Sequence, residues 1–166
     1  MSLDGYIAGP NGEIDWIIAD PGVDFGAIYA DFDAALLGRR TYELTQQPGA
    51  PPWPADWQIY VASRTLRPAN THGVHVIGTD LESMMTDLRT KPGRDIWLFG
   101  GGSLAASLLS MKLVDTVEVA VMPVVLGAGV RFVGHGAGRA GLKLRQVQNS
   151  NNGVVHLLYD VLRAAG

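Results

Sequence analysis

The 166-residue sequence has no cysteine and no long apolar run, and its first 38 residues contain no lysine or arginine. Without cysteine there is no disulfide scaffold, thiolate zinc site or cysteine nucleophile. The longest uncharged apolar run, 119–130, has about 12 residues, whereas a membrane span needs roughly 20. The first residues also lack the basic start and apolar stretch of a secretory signal. We therefore expect a cytoplasmic protein with no membrane partner.

Charge is distributed unevenly along the chain. The first 38 residues carry seven acids, a local net charge of −7, while the remainder carries 13 basic residues against nine acids, a net of +4. The overall charge of −3 argues against a nucleic-acid partner, which would require a strongly basic face. The basic remainder still permits a small anion to bind there.

The length of the chain fits one domain, which is expected over residues 1–166.

The order of apolar runs predicts an α/β fold. A helix is expected where apolar residues recur at helical spacing, as at Phe25, Ile28, Tyr29 and Phe32, and a strand where a short run is apolar throughout. Residues 3–8 are predicted to be the end of a strand, and further strands are predicted at 34–37, 59–62, 74–77, 96–99 and 114–122. Helices are predicted at 25–32, 41–47, 81–91 (capped by Asp80) and 104–109. Two alternating runs, 142–148 and 154–162, predict an antiparallel C-terminal hairpin with its turn at 149–153.

Small or cationic residues follow three of the predicted strands. These segments are Gly38-Arg39-Arg40-Thr41, Ser63-Arg64-Thr65 and Gly100-Gly101-Gly102-Ser103. In open α/β sheets ligands bind beyond the carboxyl ends of the strands, so the three segments can share one crevice. Glycine lets the backbone approach a phosphate, a helix N-terminus offers free N–H groups, and arginine and hydroxyl side chains donate to phosphate oxygens. Each segment alone fits an ordinary turn, but together they favour a nucleotide with several phosphates.

Five ordered motifs resemble the dihydrofolate reductase superfamily. Four of them are Ser2-Leu3-Asp4-Gly5-Tyr6-Ile7-Ala8, Leu37-Gly38-Arg39-Arg40-Thr41-Tyr42-Glu43, Ser63-Arg64-Thr65 and Phe99-Gly100-Gly101-Gly102-Ser103-Leu104. The fifth, Pro123-Val124-Val125-Leu126-Gly127-Ala128-Gly129, is similar to the reductase domain of riboflavin biosynthesis proteins and its stand-alone relatives. The resemblance implies a three-layer fold, with a mostly parallel mixed sheet, an antiparallel C-terminal hairpin and helices on both faces.

The resemblance also implies an NADPH site. The residues that it assigns to the cofactor are Ala8, Gly38, Arg39, Arg40, Thr41, Ser63, Arg64, Thr65, Gly100, Gly101, Gly102, Ser103 and Leu104. Among them, Ala8 would contact the nicotinamide, and the segment 9–16 resembles a mobile loop that closes over it. Arg39 and Arg64 would lie near the 2′-phosphate, which favours NADP over NAD. No metal or flavin is expected.

The implied reaction is hydride transfer to a small heterocycle, such as a pterin, a dihydrofolate-like compound or an aminopyrimidine ribose derivative. An acid that assists protonation would be Asp4 or Asp24, with Asp15 as a third candidate. Asp4 fits a turn-stabilising role equally well, since it precedes Gly5. Domains of this kind often pair, so a homodimer is expected on the resemblance alone.

Two other functions fit part of the pattern. One is a nucleotide-binding protein without catalysis. The other is a serine hydrolase that uses Ser103 with Asp115 and His156. The segment 136–141 matches the dinucleotide pattern G-x-G-x-x-G, but a strand pattern follows it where a helix is required, so we interpret it as a loop. His72 and His75 are not expected to bind a metal, because no third ligand is evident.

Overall fold

The structure is a computed structural model that describes residues 1–19, 23–67 and 73–163. The chain forms two compact units. The first, here the antiparallel unit, combines Met1–Val23 with Ala105–Gly166, and the second, the parallel unit, is the continuous segment Asp24–Leu104. The single domain expected over residues 1–166 stays a prediction.

Nine strands and four helices are formed by the described residues. In chain order they are β1 (Tyr6–Ala8), α1 (Phe25–Ala30), β2 (Phe32–Gly38), α2 (Arg39–Thr45), β3 (Gln58–Ala62), β4 (Val74–Ile77), α3 (Leu81–Leu88), β5 (Asp95–Gly100), α4 (Gly102–Ser110), β6 (Thr116–Val121), β7 (Val130–Arg131), β8 (Gly141–Asn149) and β9 (Val155–Leu162).

The parallel unit is built on one sheet with the order β4-β3-β2-β5, in which every neighbouring pair is parallel. Residues 34–37 of the central strand β2 are all buried. A strand that is covered on both faces has no polar side, which explains the unbroken apolar sequence Ala-Ala-Leu-Leu. One core cluster joins this sheet to α2 and to the loop before β3, and its buried members are Ala35, Leu37, Tyr42, Trp57, Ile59 and Val61.

The antiparallel unit contains two sheets. Strands β1 and β7 form an antiparallel pair, and β6, β9 and β8 form a three-stranded antiparallel sheet in that order. The predicted C-terminal hairpin is therefore confirmed as β8 and β9, with β6 added on the free side of β9. The predicted α/β class, a parallel sheet followed by an antiparallel hairpin, is confirmed with it.

The predicted helix 25–32 is too long at its end. Helix α1 stops at Ala30, and Phe32 opens β2, where it pairs with Asp95. The Phe32 ring stacks on Trp97 with 5.4 Å between ring centroids. Packing between distant aromatic residues therefore outweighs the helical spacing of Phe32. The predicted inward stripe is also wrong at Phe25, which is exposed.

Smaller differences concern element ends and one missed strand. Helix α2 begins at Arg39, directly after β2, rather than at residue 41. Asp80 stands at the N-cap of α3, but its side chain makes no capping hydrogen bond. Strand β7 was not predicted, because its two residues, Val130 and Arg131, are too few to show a period and form a strand only by pairing with β1.

Candidate functional site

The three predicted phosphate-binding segments meet at one edge of the parallel sheet. The register places Gly38 beside Ala62 and Leu37 beside Gly100, so β2, β3 and β5 end at the same level. The segment after β2 lies in the middle, with the segments after β3 and β5 on its two sides. The backbone N–H of Ser63 also donates to the carbonyl of Ile77 at 2.9 Å. This hydrogen bond connects the segment after β3 to the end of β4.

Four glycines form the backbone at this point, and we call Gly38, Gly100, Gly101 and Gly102 the glycine edge. A methyl group at Gly38 would lie 3.7 Å from the Gly101 nitrogen, and one at Gly101 would lie 3.5 Å from Thr41 Oγ1. The Thr41 hydroxyl therefore stands directly beside the glycine backbone. The Gly100–Gly101 peptide bond is cis, and Gly100 has a φ of +135°, a conformation that favours glycine.

Helix α4 begins inside the glycine edge, at Gly102. The N–H of Leu104 is already bonded to the carbonyl of Gly101 at 3.0 Å, whereas the first N–H groups of a helix have no partner within it. Ser103 is exposed in this first turn, and Leu104 is buried. The edge thus combines backbone without side chains, a hydroxyl group and the start of a nine-residue helix, an arrangement suited to an anion.

The segment after β3 adds a second hydroxyl and a cation. Ser63 Oγ accepts hydrogen bonds from the N–H groups of Thr65 at 3.2 Å and Leu66 at 3.0 Å. Because Oγ acts as an acceptor in both bonds, its own hydrogen is free to donate. Arg64 is exposed, and among the described residues its guanidinium has no hydrogen-bond or ion-pair partner. This turn therefore presents one hydroxyl donor and one uncompensated positive charge.

The two arginines after β2 differ in their environment from Arg64. Arg39 Nη1 forms an ion pair with Glu43 Oε1 at 2.8 Å, one helical turn further along α2, and both side chains are exposed. The charge of Arg39 is therefore partly compensated by Glu43, although an exposed ion pair of this kind contributes little to stability. Arg40 is exposed on the same helix. Of Arg39 and Arg64, the two cations predicted near a 2′-phosphate, Arg64 is the better available donor.

Ala8 lies in the antiparallel unit, at the end of β1, where it pairs with Val130 of β7. Its carbonyl oxygen faces Gly129 so closely that a methyl group at position 129 would overlap it. The loop that follows Ala8 folds around Glu13, whose carboxylate accepts hydrogen bonds from the Asn11 backbone and side chain at 2.9 and 2.7 Å. The contact between Gly129 and Ala8 was missed, and the only signal for it was the glycine in the fifth motif.

Asp4 fixes the turn before β1 to the loop that contains the fifth motif. Its carboxylate accepts from Ser2 Oγ at 2.7 Å, from the Gly127 N–H at 2.7 Å and from the Leu126 N–H at 3.1 Å. These hydrogen bonds, led by that from Ser2, lower the pKa of Asp4 from its usual 3.8 to about 2. Asp4 is therefore ionised at neutral pH, where it can hold the loop but has no proton to donate.

The bonds of Asp4 predict a change in acid stability. A carboxylate whose pKa is depressed in the folded state stabilises the protein above the unfolded pKa, and this contribution is lost as the pH falls toward the folded pKa. We expect Asp4→Asn to be less stable than the wild type at pH 7 and to lose less stability between pH 4 and 2. Urea unfolding at several pH values measures both effects.

Asp80→Asn is the matched control, because that side chain makes no capping hydrogen bond. If Asp4→Asn shows the same pH dependence as the wild type, the hydrogen bonds to Asp4 do not contribute to acid stability.

Asp24, the other predicted acid, is the N-cap of α1. Its Oδ1 accepts from the N–H of Ala27 at 3.0 Å, and among the described residues Oδ2 has no hydrogen-bond partner. The capping bond gives Asp24 a structural role and leaves one carboxylate oxygen available. Its catalytic role, like that of Asp4, stays a prediction.

The register separates the residues of the hydrolase alternative. His156 pairs with Ala120 in the middle of β9, whereas Asp115 precedes Thr116, the residue that pairs with Asp160. Five residues of extended strand separate Asp115 from Ala120, roughly 16 Å. Asp115 instead binds Arg163 at 2.7 Å. These two residues cannot form the acid–histidine pair of a catalytic triad, so the structure gives this alternative no support.

The candidate site does not include the glycine-rich segment before β8 or the two neighbouring histidines. Residues 136–141 lead into β8 rather than a helix, so the prediction of a loop in place of a dinucleotide fingerprint is confirmed. His75 stacks on Tyr60, while His72 lies outside the described residues. Within 1–19, 23–67 and 73–163, no three potential metal ligands form a cluster. Over the same ranges, the helices are too short or too polar to cross a membrane.

Comparisons with known proteins agree with the fold. Residues 1–156 match the family described as the RibD C-terminal domain. The uncharacterized protein YyaP of Bacillus subtilis (strain 168) is 33% identical over 170 residues, which cover 96% of this chain and 90% of YyaP.

Two solved structures extend the comparison. A candidate riboflavin biosynthesis protein from Shewanella sp. PV-4 has a TM-score of 0.83 at 24% identity, covering 98% of this chain and 95% of that one. A diaminohydroxyphosphoribosylaminopyrimidine deaminase/5-amino-6-(5-phosphoribosylamino)uracil reductase from Thermotoga maritima has a TM-score of 0.71 at 17% identity, covering 97% of this chain and 54% of that one. These likenesses confirm the predicted dihydrofolate reductase-like fold.

Proposed function

Because the chain belongs to the RibD C-terminal domain family, we propose that it is a reductase that transfers a hydride from NADPH to a small heterocyclic substrate. The substrate class is a pterin or an aminopyrimidine, the latter in keeping with the reductase activity named for the Thermotoga maritima protein. The observation that carries the proposal is the common edge at which β2, β3 and β5 end, because it brings the glycine edge and the turn Ser63-Arg64-Thr65 to the same level of the sheet.

The residues at this edge fit the pyrophosphate of a dinucleotide. Gly38 and Gly101 have no side chain, so a phosphate can approach their backbone closely. Thr41 Oγ1 and the first N–H groups of α4 are donors at the same place. In the proposal, Thr41 and the backbone of residues 101 and 102 bind the pyrophosphate, and Arg40 adds a positive charge.

The turn after β3 fits a phosphate monoester. Ser63 offers a free hydroxyl hydrogen and Arg64 a guanidinium, and charge-assisted hydrogen bonds of this kind are stronger than neutral ones. These residues, with Arg39, would bind the 2′-phosphate that distinguishes NADPH from NADH. The proposed preference for NADPH depends mainly on Arg64, because Arg39 is already paired with Glu43.

When bound, NADPH supplies the hydride, and the residues of the chain position the nicotinamide and exclude water from it. The proposal retains Ala8 as the nicotinamide contact and residues 9–16 as the loop that excludes water. Asp4 acts by fixing the backbone near the fifth motif, since its pKa of about 2 keeps it ionised. Asp24 and Asp15 remain the candidates for assisting protonation, and among the described residues Oδ2 of Asp24 has no hydrogen-bond partner.

Calorimetry with NADPH and with NADH tests the proposal directly. We expect NADPH to bind roughly 10- to 100-fold more tightly, the range expected for charge-assisted hydrogen bonds to one phosphate. A screen of pterins and aminopyrimidines should then show loss of NADPH absorbance. If the protein binds neither NADPH nor NADH, the proposal is contradicted. If it binds NADPH but reduces no heterocycle, the result favours a nucleotide-binding protein without catalysis.

We also propose that the protein is a homodimer that uses one face of β8. Cross-strand partners lie on the same face of a sheet, and Leu142, Leu144 and Val147 stand opposite three apolar residues of β9. The register shift between Leu144 and Gln146 keeps Leu144 and Val147 on this face, although they are three residues apart. All of β8 is exposed. The exposed apolar face of this edge strand can pack against the same face of a second copy of the chain.

Light scattering coupled to size-exclusion chromatography tests the dimer. We expect a dimeric wild type and a predominantly monomeric Leu144→Asp variant, because the new charge would be buried in the interface. Gln148→Asp is the matched control, since Gln148 is exposed on the opposite face of β8 and pairs with His156. A monomeric wild type, or equal dissociation of both variants, would rule out this interface.

A further inference from the structure

Glu13 lies against the backbone next to Ala8, the residue proposed to contact the nicotinamide. A methyl group at Gly9 would overlap Glu13 Oε2 and would lie 3.0 Å from Glu13 Cδ. Gly9 is buried, although Glu13 itself is exposed. The carboxyl group of Glu13 therefore covers the residue that directly follows β1.

The same backbone is contacted by a second, distant part of the antiparallel unit. A methyl group at Gly129 would lie 3.2 Å from the Ala8 carbonyl carbon and 3.2 Å from Gly9 Cα. Val130, the next residue, pairs with Ala8. The position of residues 8 and 9 is therefore fixed by the segment around Gly129 and by Glu13 together.

Glu13 is also the residue on which the loop 9–16 is organised. Its carboxylate accepts from the backbone N–H of Asn11 at 2.9 Å and from the side-chain amide of Asn11 at 2.7 Å. Its carbonyl oxygen accepts from the N–H of Gly9 at 2.9 Å and from Trp16 Nε1 at 3.1 Å. The start and the end of the loop are thus bonded to the same residue.

The Glu13 carboxylate is ionised at neutral pH. The hydrogen bond from the Asn11 side chain, followed by backbone hydrogen bonds, lowers the pKa of Glu13 below its ordinary range. Hydrogen bonds to an ionised acceptor are roughly twice as strong as those between neutral groups. The bonds between Asn11 and the Glu13 carboxylate are therefore the strongest that hold this loop.

We propose that Glu13 is a positioning residue for the nicotinamide end of the cofactor. Its carboxylate, held by Asn11, fixes the backbone of Ala8 and Gly9 in the conformation that receives the ring. Glu13 acts through Gly9 rather than by touching the nicotinamide. A backbone that is fixed in advance avoids the cost of ordering it when the ligand binds. This inference rests on the proposed function and adds a residue to it.

Calorimetry with NADPH and with 2′-phospho-ADP-ribose tests the inference. The second ligand has the same phosphates and the same adenosine but lacks the nicotinamide. We expect Glu13→Ala to weaken NADPH binding roughly two- to tenfold, the range for ordering a flexible segment on binding. The affinity for 2′-phospho-ADP-ribose should stay unchanged, because only the nicotinamide depends on Ala8.

Two further variants test whether the hydrogen bond to Asn11 is responsible. Asn11→Asp opposes two carboxylates where a hydrogen bond of 2.7 Å now lies, so it should weaken NADPH binding by a similar factor. The double variant Asn11→Asp/Glu13→Gln exchanges donor and acceptor, so the hydrogen bond can form again and the affinity for NADPH should recover. Glu118→Ala is the control, because it removes an exposed glutamate from β6 in the same unit.

The outcomes separate this inference from the proposed function. Loss of NADPH affinity alone in Glu13→Ala and Asn11→Asp, with recovery in the double variant, supports the positioning role. If NADPH binds to the wild type but the variants lose affinity for both ligands equally, or for neither, the inference is wrong while the proposed function stands. If the wild type binds no NADPH, the proposed function and this inference are both wrong.

Discussion

Replacing Gly129 with alanine should destabilise the protein by roughly 3–5 kcal/mol, because the new methyl group adds a clash to an unfavourable backbone conformation. Gly129 has a φ of +147°, and a Cβ there would overlap the carbonyl oxygen of Ala8 and lie 3.2 Å from Gly9 Cα. Both obstacles are backbone atoms, which cannot rotate away. Relief requires β1 and β7 to separate where Ala8 pairs with Val130. Urea unfolding followed by circular dichroism measures the loss.

Gly127→Ala is the control for this prediction. Gly127 also has a positive φ, +75°, but a Cβ there meets no atom within 4 Å. The substitution retains the N–H that donates to Asp4, so we expect it to lose only about 1–2 kcal/mol, the strain of the left-handed conformation. An equal loss in the two variants would show that the approach of Ala8 is not what requires glycine at position 129.

The strand ends could be predicted from the sequence because their signals are local. Residues 34–37 are an unbroken apolar run, and the glycine at position 38 marks where it ends. The structure extends the strand by two residues at its start and keeps its end at Gly38. Since parallel strands present their carboxyl ends at one edge, three such runs were sufficient to predict that the three candidate phosphate-binding segments meet.

The contacts that shape the site could not be predicted, because they join distant parts of the chain. No local pattern shows that Gly129 lies against Ala8 or that Asp4 accepts from the Gly127 amide. The bulge in β5 at Phe99, which follows the pair Leu36–Leu98, could not be predicted either, because it exists only in the pairing of β5 with β2. A one-residue change in register moves a side chain to the other face, so these features depend on the folded sheet.

Arg64→Ala should weaken NADPH binding by roughly 10- to 100-fold and leave NADH binding nearly unchanged, because a charge-assisted hydrogen bond to phosphate contributes about 1.5–3 kcal/mol. Arg64 is exposed, and among the described residues its guanidinium has no ion pair to give up when it binds a phosphate. Arg39 must first release Glu43, which is 2.8 Å away, and Arg39→Ala should therefore have the smaller effect. Calorimetry with both nucleotides measures the selectivity of each variant.

Arg67→Ala removes the same charge three residues further along the exposed segment and serves as the matched control. If it reduces NADPH affinity as much as Arg64→Ala does, the general positive potential of the turn is responsible rather than a direct contact. Equal losses for NADPH and NADH in Arg64→Ala would contradict the 2′-phosphate assignment, since NADH has no phosphate there. Arg64→Lys refines the result: a bidentate contact is lost with lysine, whereas a simple charge interaction is retained.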